Sequence, residues 1–182
     1  MPDEMLDVVD DEDVVIRMAA RLVVHEHGLL HRGVHVILFS PDGRLLIQKR
    51  SAARAQYASL WDCSVSEHVK AGENYRQAAE RGLLEELGST GAILRPLVKF
   101  RLEYGKKDNE ISILFEGRTD LNELRPDPDE IESIQWIDMD KLATWMKGKR
   151  HEFSRWFVEI MNWYWNQPSE IMVLESSPDQ SV

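Results

Sequence analysis

Carboxylates recur at helical spacing between Ser66 and Gly88, where they could hold a divalent cation. Arg81, Glu85 and Glu86 lie on or beside one polar stripe, because residues four apart share a helix face. Two adjacent carboxylates near a helix C-terminus oppose the helix dipole, so helix stability does not explain them. Oxygen ligands suit Mg²⁺ or Mn²⁺, which can in turn hold a phosphate oxygen. The spacing is equally compatible with a solvated face carrying an Arg81–Glu85 pair.

Histidines and a further acid offer other ligands. His31 stands at the mouth of a predicted strand, Val34–Phe39, and strand ends border clefts. A lone histidine is nevertheless more often structural than a ligand. His25 and His27 lie near a predicted helix end, where a histidine also favours the helix dipole. Glu110 opens another predicted strand, so its carboxylate is placed to face the same cleft as the helix, although a surface role is common for a single acid.

Three basic residues cluster where a predicted strand leaves the sheet: Lys49, Arg50 and Arg54. In a chain this acidic, such a cluster is suited to hold a diphosphate. A solubilising sheet edge is the equally weighted alternative.

Periodicity predicts the elements that must position these side chains. A turn at Gly72 and an N-cap at Asn74 begin the central helix, and Gly88 ends it. The other predicted helices are Ala19–Glu26, a helix capped by Asp138 and running through Met146, and Glu152–Trp165. The predicted strands are Met5–Val9, Val14–Met18, Gly33–Phe39, Leu45–Arg50, Ala92–Leu102, Ile111–Arg118 and Ile131–Ile137. The acidic residues between the first two strands are interpreted as a solvated turn.

Composition bounds the class of protein. A chain of 182 residues with 43% hydrophobic residues suits one domain, which we place at residues 1–166. Within it, residues 1–32 form a hairpin and short helix and residues 33–166 the core and C-terminal helices, leaving 167–182 as a loosely ordered tail. A formal net charge of −10 argues against nucleic acid polymers and membranes as partners. The single cysteine, Cys63, and the lack of a signal-peptide pattern favour a cytoplasmic setting.

The last predicted helix is strongly aromatic, with Phe153, Trp156, Phe157 and Trp163–Trp165. Aromatic residues at this density favour core packing or a dimer face over a substrate wall. A homodimer is therefore left open.

The central stretch resembles the Nudix box, whose pattern is G-x5-E-x7-R-E-U-x-E-E-x-G-U with U apolar. It matches at Glu73, Arg81, Leu83, Glu85, Glu86 and Gly88 and departs at Glu67, Gly82 and Ser89. The resemblance extends over roughly Leu6 to Trp165 and implies an α/β fold with a mixed sheet between helices. It also implies that Glu85 and Glu86 hold Mg²⁺ or Mn²⁺, and that Glu73 pairs with Arg81 to brace the loop against the helix.

Within that family the chain is most similar to the branch of type I isopentenyl-diphosphate isomerase and its hydrolase relatives. Positions that match isomerase metal ligands are His31, His68, Glu110 and, with a one-residue gap, His25; Arg50 and Arg54 match diphosphate-binding positions. Ser66 stands where the isomerases have a catalytic cysteine. Because a hydroxyl is a much poorer proton donor than a thiol, this departure disfavours isomerisation.

The resemblance therefore implies a metal-dependent pyrophosphohydrolase that cleaves a small nucleoside-diphosphate-linked or related compound. Glu85, Glu86, Glu110 and Glu67 are its expected catalytic residues. Gly82 departs from the pattern of the hydrolases, which have a glutamate at this position. We hypothesise that Glu67 or Glu110 partly replaces that missing glutamate. Two alternatives stand beside this expectation: an isoprenoid-diphosphate isomerase, and a catalytically weak module that binds a nucleotide or diphosphate.

Overall fold

The computed structural model describes residues 4–54, 56–90, 92–105, 107–119 and 124–177 as a mixed β-sheet between helices. Its ten strands are β1 (Met5–Val9), β2 (Val15–Ala20), β3 (His31–Phe39), β4 (Leu45–Arg50), β5 (Trp61–Asp62), β6 (Val65–His68), β7 (Arg95–Gly105), β8 (Asp108–Arg118), β9 (Ile131–Ile137) and β10 (Met172–Ser176). Its four α-helices are α1 (Arg21–His27), α2 (Tyr75–Leu87), α3 (Met139–Gly148) and α4 (Arg155–Tyr164). The predicted α/β class is therefore confirmed.

Strand β3 is the centre of the sheet and is buried along its whole length. It pairs parallel with β8 and antiparallel with β6, and the main strand order is β10-β7-β8-β3-β1-β2. Its side chains alternate between two hydrophobic clusters, so Val34 and Val36 pack towards α2, whereas Ile37 packs towards α3 and α4. Both faces are covered, which explains why this strand is apolar almost throughout.

Helix α2 begins and ends as its sequence predicts. The Asn74 side chain accepts a hydrogen bond from the Gln77 backbone N–H at 2.9 Å, and Gln77 Oε1 accepts one from the Asn74 N–H at 3.0 Å. This reciprocal pair forms a capping box. At the other end Gly88 adopts a left-handed conformation with φ of 63°, which glycine accepts without strain.

Two predictions for the C-terminal region differ from the structure. Helix α4 begins at Arg155, after a separate 3₁₀ turn at Arg150–Glu152, because Ser154 caps it by accepting a hydrogen bond from the Phe157 N–H. Residues 172–176, predicted as part of a loosely ordered tail, instead form β10, which pairs antiparallel with β7. All five β10 residues are exposed, so no alternation of apolar and polar residues marks the strand. Residues 178–182 of that predicted tail lie outside the described part of the chain.

The turn between β1 and β2 is not fully solvated, which corrects its interpretation from sequence. Asp13 is 5% exposed and adopts a φ of 63°. Its carboxylate accepts hydrogen bonds from Arg32 Nε at 2.6 Å and Tyr75 Oη at 3.0 Å and also contacts Lys99 Nζ. A buried carboxylate needs such partners, and this cluster ties the N-terminal hairpin to β3, α2 and β7.

No helix within the described ranges is long and apolar enough to span a membrane.

Candidate active site

Three imidazoles meet at one end of the sheet. His25 lies in the last turn of α1, His31 begins β3 and His68 ends β6. Their ring centroids are 5.1–5.2 Å apart, and one nitrogen of each ring lies within 4.8 Å of the other two. Strand pairing explains the meeting, because Gly33 of β3 is the partner of His68. Three imidazole nitrogens this close together are suited to one divalent transition metal.

Hydrogen bonds on the outer side of the cluster leave ring nitrogens directed inward. The Nδ1 atom of His31 lies 2.9 Å from the Leu29 carbonyl oxygen, and the Nδ1 atom of His25 lies 2.6 Å from Asp108 Oδ1. An Nδ1–H donated to each of these oxygens leaves a lone pair on Nε2. Within the described part of the chain, His25 Nε2 and His31 Nε2 are buried without a hydrogen-bond partner. The residues present therefore fit a metal ion.

Glu110 supplies an oxygen to this cluster. It is the register partner of His31 on β8, and its Oε1 lies 3.4 Å from His31 Nε2 and 3.8 Å from His68 Nε2. Burial raises the pKa of Glu110, but the hydrogen bond and charge of His31, together with the smaller effects of His68 and His35, outweigh burial and bring that pKa to about 2. Burial lowers the pKa of His68 well below its usual value, despite the opposing Glu110 charge. The carboxylate is therefore ionised and His68 neutral, the forms that bind a cation.

Arg81 of α2 gathers the carboxylates around the loop before the helix. It donates to Glu73 at 2.9 and 3.1 Å, to Glu67 Oε2 at 2.9 Å and to Glu85 Oε2 at 3.1 Å. It also donates to the His68 carbonyl oxygen at 2.8 Å. The structure thus brings Glu73 and Arg81 together as a brace between loop and helix. Glu85, whose side chain is 52% exposed, lies at the open side of this group.

Glu86 occupies a different environment from Glu85. It is 5% exposed, and its Oε2 accepts a hydrogen bond from Gln48 Nε2 at 2.8 Å. Its Oε1 is buried without a partner among the described residues. Burial and then the charge of Glu67 raise the pKa of Glu86 well above its ordinary value. A cation beside Glu86 and Glu67 would relieve both effects, so these carboxylates also fit a metal ion.

Ser66 lies in a polar pocket at the base of the site. Its Oγ is 2.9 Å from Cys63 Sγ, 3.1 Å from His35 Nδ1, 3.2 Å from Trp156 Nε1 and 3.4 Å from Asp62 Oδ1. Cys63 is completely buried, and burial raises the pKa of its thiol well above the ordinary value. The only cysteine of the chain therefore stands behind the serine and does not open on the site.

The three basic positions predicted from sequence separate in the structure. Arg50 Nη1 lies 3.4 Å from Asp62 Oδ2, and its guanidinium lies 5.7 Å from the centre of the Trp156 ring, beside the Ser66 pocket. Lys49 pairs with Glu132 at 2.7 Å, and Arg54 pairs with Glu130. Arg50 is thus brought to the pocket, whereas Lys49 and Arg54 are engaged in ion pairs along the sheet edge.

Arg21 is a candidate that sequence reasoning missed. It begins α1, its positive charge lowers the pKa of the nearby His68, and its Nε is buried without a hydrogen-bond partner in the described ranges. A cation beside the histidine cluster is suited to an anionic group held there. A basic residue four positions before a cluster histidine on one helix was the only available signal.

Comparison with known proteins identifies the family of this chain. The NUDIX domain family matches residues 29–157, more than half of the chain. Isopentenyl-diphosphate Delta-isomerase 1 of Aromatoleum aromaticum is 31% identical over 163 residues, covering 86% of this chain and 89% of that protein. An isopentenyl-diphosphate Delta-isomerase of Serratia proteamaculans is 32% identical, covering 87% and 90%.

Solved structures agree in fold. A Deinococcus radiodurans protein has a TM-score of 0.68 and 25% identity, covering 80% of this chain and 90% of its own. A MutT Nudix hydrolase of Burkholderia pseudomallei has a TM-score of 0.53 and 25% identity, covering 61% and 84%. The chain is thus similar in sequence to isomerases and in fold to a protein described as a hydrolase.

Proposed function

This chain belongs to the Nudix family, and from that premise we propose that it is a divalent-metal-dependent pyrophosphohydrolase acting on a small organic diphosphate. One observation carries the proposal: the buried Nε2 atoms of His25 and His31, which have no hydrogen-bond partner among the described residues, meet beside His68 and the ionised Glu110. When bound, a divalent cation such as Mg²⁺ or Mn²⁺ would supply positive charge to phosphate oxygens and acidify a bound water.

The chain's own residues supply the other requirements of the reaction. Arg21 and Arg50 are placed to bind the diphosphate, because the buried Nε of each has no hydrogen-bond partner among the residues that the structure describes. Glu110, at the centre of the cluster, is suited to help hold the cation and to orient a water by accepting its hydrogen bond. Arg81 holds Glu67 in a fixed position next to Glu86, so that two carboxylates are ordered before the substrate arrives.

Hydrolysis is preferred over isomerisation because of Ser66. Protonating an unactivated alkene requires a competent acid, and the group nearest to Ser66 Oγ that could serve, the Cys63 thiol, is completely buried. Hydrolysis has no such requirement, since the proton is removed from water and the leaving group is a phosphate.

Isomerisation of an isoprenoid diphosphate is the second candidate. It is favoured by the similarity to isopentenyl-diphosphate isomerases that are 31% and 32% identical over most of the chain. The histidine cluster with Glu110 supports this reaction as well as hydrolysis, because both need a metal-bound diphosphate and one base.

One screen separates the two reactions. The purified protein is incubated with Mg²⁺ and then with Mn²⁺ and a set of nucleoside-diphosphate-linked compounds and isoprenoid diphosphates. Cleavage is followed by phosphorus NMR, because hydrolysis of a diphosphate that links two groups yields two phosphomonoesters and no free phosphate. Double-bond migration is followed by proton NMR, and binding is measured calorimetrically. Phosphomonoester formation that disappears in the His31→Ala variant supports hydrolysis. Migration without cleavage would instead establish the isomerase, and tight binding with neither product would leave only a binding module.

A further inference from the structure

A surface pocket of about 610 Å³ lies between the end of α3 and the first turns of α4. Four basic residues line it: Lys147, Arg150, His151 and Arg155. None of its lining residues is acidic, although the chain has 32 Asp and Glu against 22 Lys and Arg. A local concentration of positive charge in an acidic chain needs an explanation other than solubility, because acidic residues already supply a large net charge.

Most of this positive charge is available to a ligand. Within the described part of the chain, the side chains of Lys147 and His151 form no ion pair or hydrogen bond, and both residues are exposed. Arg150 contacts the buried carboxylate of Glu159 through Nη2, but its side chain is 59% exposed and has four further N–H groups. Arg155 pairs with Glu170 at 2.5 Å on the outer side.

Aromatic rings form the apolar part of the pocket. Phe153, which is 4% exposed, lines it together with the partly buried Tyr57. Tyr57 packs edge-on against Trp156, with ring centroids 4.6 Å apart, and Trp156 Nε1 lies 3.2 Å from Ser66 Oγ. One pair of aromatic side chains, Tyr57 and Trp156, therefore links this pocket to the candidate active site.

We propose that this pocket binds the phosphate group of a small organic phosphate, with the body of the ligand against Tyr57 and Phe153. Guanidinium and ammonium groups are the usual phosphate donors, and several of them converge here on one concave surface. The volume is in the range of small-molecule sites, and the net charge of −10 disfavours a nucleic acid polymer. The inference does not depend on the reaction proposed above.

Binding to the metal-free protein tests the pocket. The full chain is treated with EDTA, and adenosine 5′-monophosphate and inorganic phosphate are titrated calorimetrically and by amide NMR shifts. We expect shifts at residues 147–155 and at least tenfold weaker binding in Lys147→Glu. The matched control is Lys141→Glu, which reverses another exposed lysine of the same helix and should bind as the wild type does.

The opposite pattern overturns the proposal. If neither probe binds the wild type, if Lys147→Glu binds normally, or if binding is lost only in His31→Ala, the pocket is not a phosphate site. Because EDTA removes any metal, a failure of the proposed hydrolysis leaves this result unchanged.

A second arm identifies the source of the phosphate. The metal-loaded enzyme is assayed with a substrate from the screen in the presence and absence of adenosine 5′-monophosphate. If the nucleotide raises KM in the wild type but not in Lys147→Glu, the pocket binds the far end of the substrate. An unchanged KM, together with binding in the calorimeter, assigns it to a separate phosphate ligand.

Discussion

The side chain of Glu67 fills the space that any side chain at Gly82 would need. A Cβ at residue 82 would lie 2.9 Å from Glu67 Cγ and 2.7 Å from Val65 Cγ1, closer than carbon atoms approach in proteins. The Nudix pattern has a glycine at the first position and a glutamate at the second, so this chain carries the two residue types in exchanged positions. A carboxylate is thereby kept beside Glu86, but it comes from the strand and not from the helix.

The exchange predicts a destabilising Gly82→Ala variant. Overpacking against Glu67 and Val65 should lower the free energy of unfolding by about 1–3 kcal/mol, despite the higher helix propensity of alanine. Urea denaturation measures the loss. Gly148→Ala in α3 is the matched control, because a Cβ there has no heavy atom within 4 Å, and it should be neutral or slightly stabilising. Because Glu67→Gly has its own cost through the lost Arg81 contact, the test is a double-mutant cycle: Gly82→Ala should cost less in the Glu67→Gly background than in the wild type. An equal cost in both backgrounds would show that Val65 alone causes the clash.

Substitution of Asp108 should weaken metal binding although Asp108 is not assigned as a metal ligand. Because its carboxylate fixes the ring of His25, Asp108→Asn should weaken Mn²⁺ binding by about 10–100-fold. Equilibrium dialysis measures the affinity, and His25→Ala should weaken it at least as much. His27→Ala on the same helix should leave it unchanged, since no atom of the exposed His27 belongs to the cluster. Equal effects of His25→Ala and His27→Ala would contradict the assigned site.

Metal removal should lower thermal stability. A cation that binds only the folded chain stabilises it by about 2.7 kcal/mol at a concentration 100 times its Kd. Thermal melts with saturating Mn²⁺ should therefore exceed melts in EDTA by several degrees in the wild type. In His31→Ala the difference should shrink, and a difference as large as in the wild type would indicate that the stabilising metal binds away from the histidine cluster.

Ser66 predicts how the two candidate reactions separate. In the Ser66→Cys, Cys63→Ala double variant a thiol replaces the hydroxyl. Cys63 is removed because its Sγ lies 2.9 Å from the position of Ser66 Oγ, and two thiols this close could form a disulfide. If the site binds isopentenyl diphosphate, the better acid should raise isomerisation by about 10²-fold, the lower end of general-acid effects. NMR follows product formation. No isomerisation in either protein would remove isomerisation as a candidate.

Glu73 predicts a loss of stability in acid. Burial raises the pKa of Glu73, but its hydrogen bonds with Arg81 and the Lys70 N–H, together with the charges of both residues, outweigh burial, so the folded-state pKa lies below the ordinary 4.5. The stabilisation is therefore complete above pH 4.5 and is lost as pH falls through the folded-state pKa. At pH 7, Glu73→Gln should cost on the order of 1–3 kcal/mol, as for a hydrogen bond to a charged group, and the difference should shrink below pH 4. Glu80→Gln, which affects only an exposed pair with Arg76, should show little change at either pH.

Local pattern predicted the parts of the fold that local forces determine. The boundaries of β9 agree with those predicted from its own residues, and the caps of α2 follow from Asn74 and Gly88. Each of these signals acts within one element. Strand β10 was missed because its five residues are exposed and its hydrogen bonds come from β7, which is far away in sequence.

The candidate site shows the same division between features that one element determines and features that depend on contacts between elements. The sequence predicted His31, His68 and Glu110 individually, but their meeting depends on the register of β3 with β6 and β8. The exchange of Glu67 and Gly82 is also a spatial relationship, since the two residues lie on a strand and on the helix packed against it. No pattern within either element indicates it.

The family match begins at residue 29, whereas His25 and Arg21 precede it. The matched part of this chain therefore lacks one imidazole of the cluster and one of the two cationic groups beside it. The short helix α1 packs on β1 and β2, and the turn between these strands is attached to β3 through Asp13 and Arg32. The position of His25 thus depends on an ion pair that contacts none of the cluster histidines. A substitution that breaks this pair would displace one cluster imidazole without changing any residue of α2.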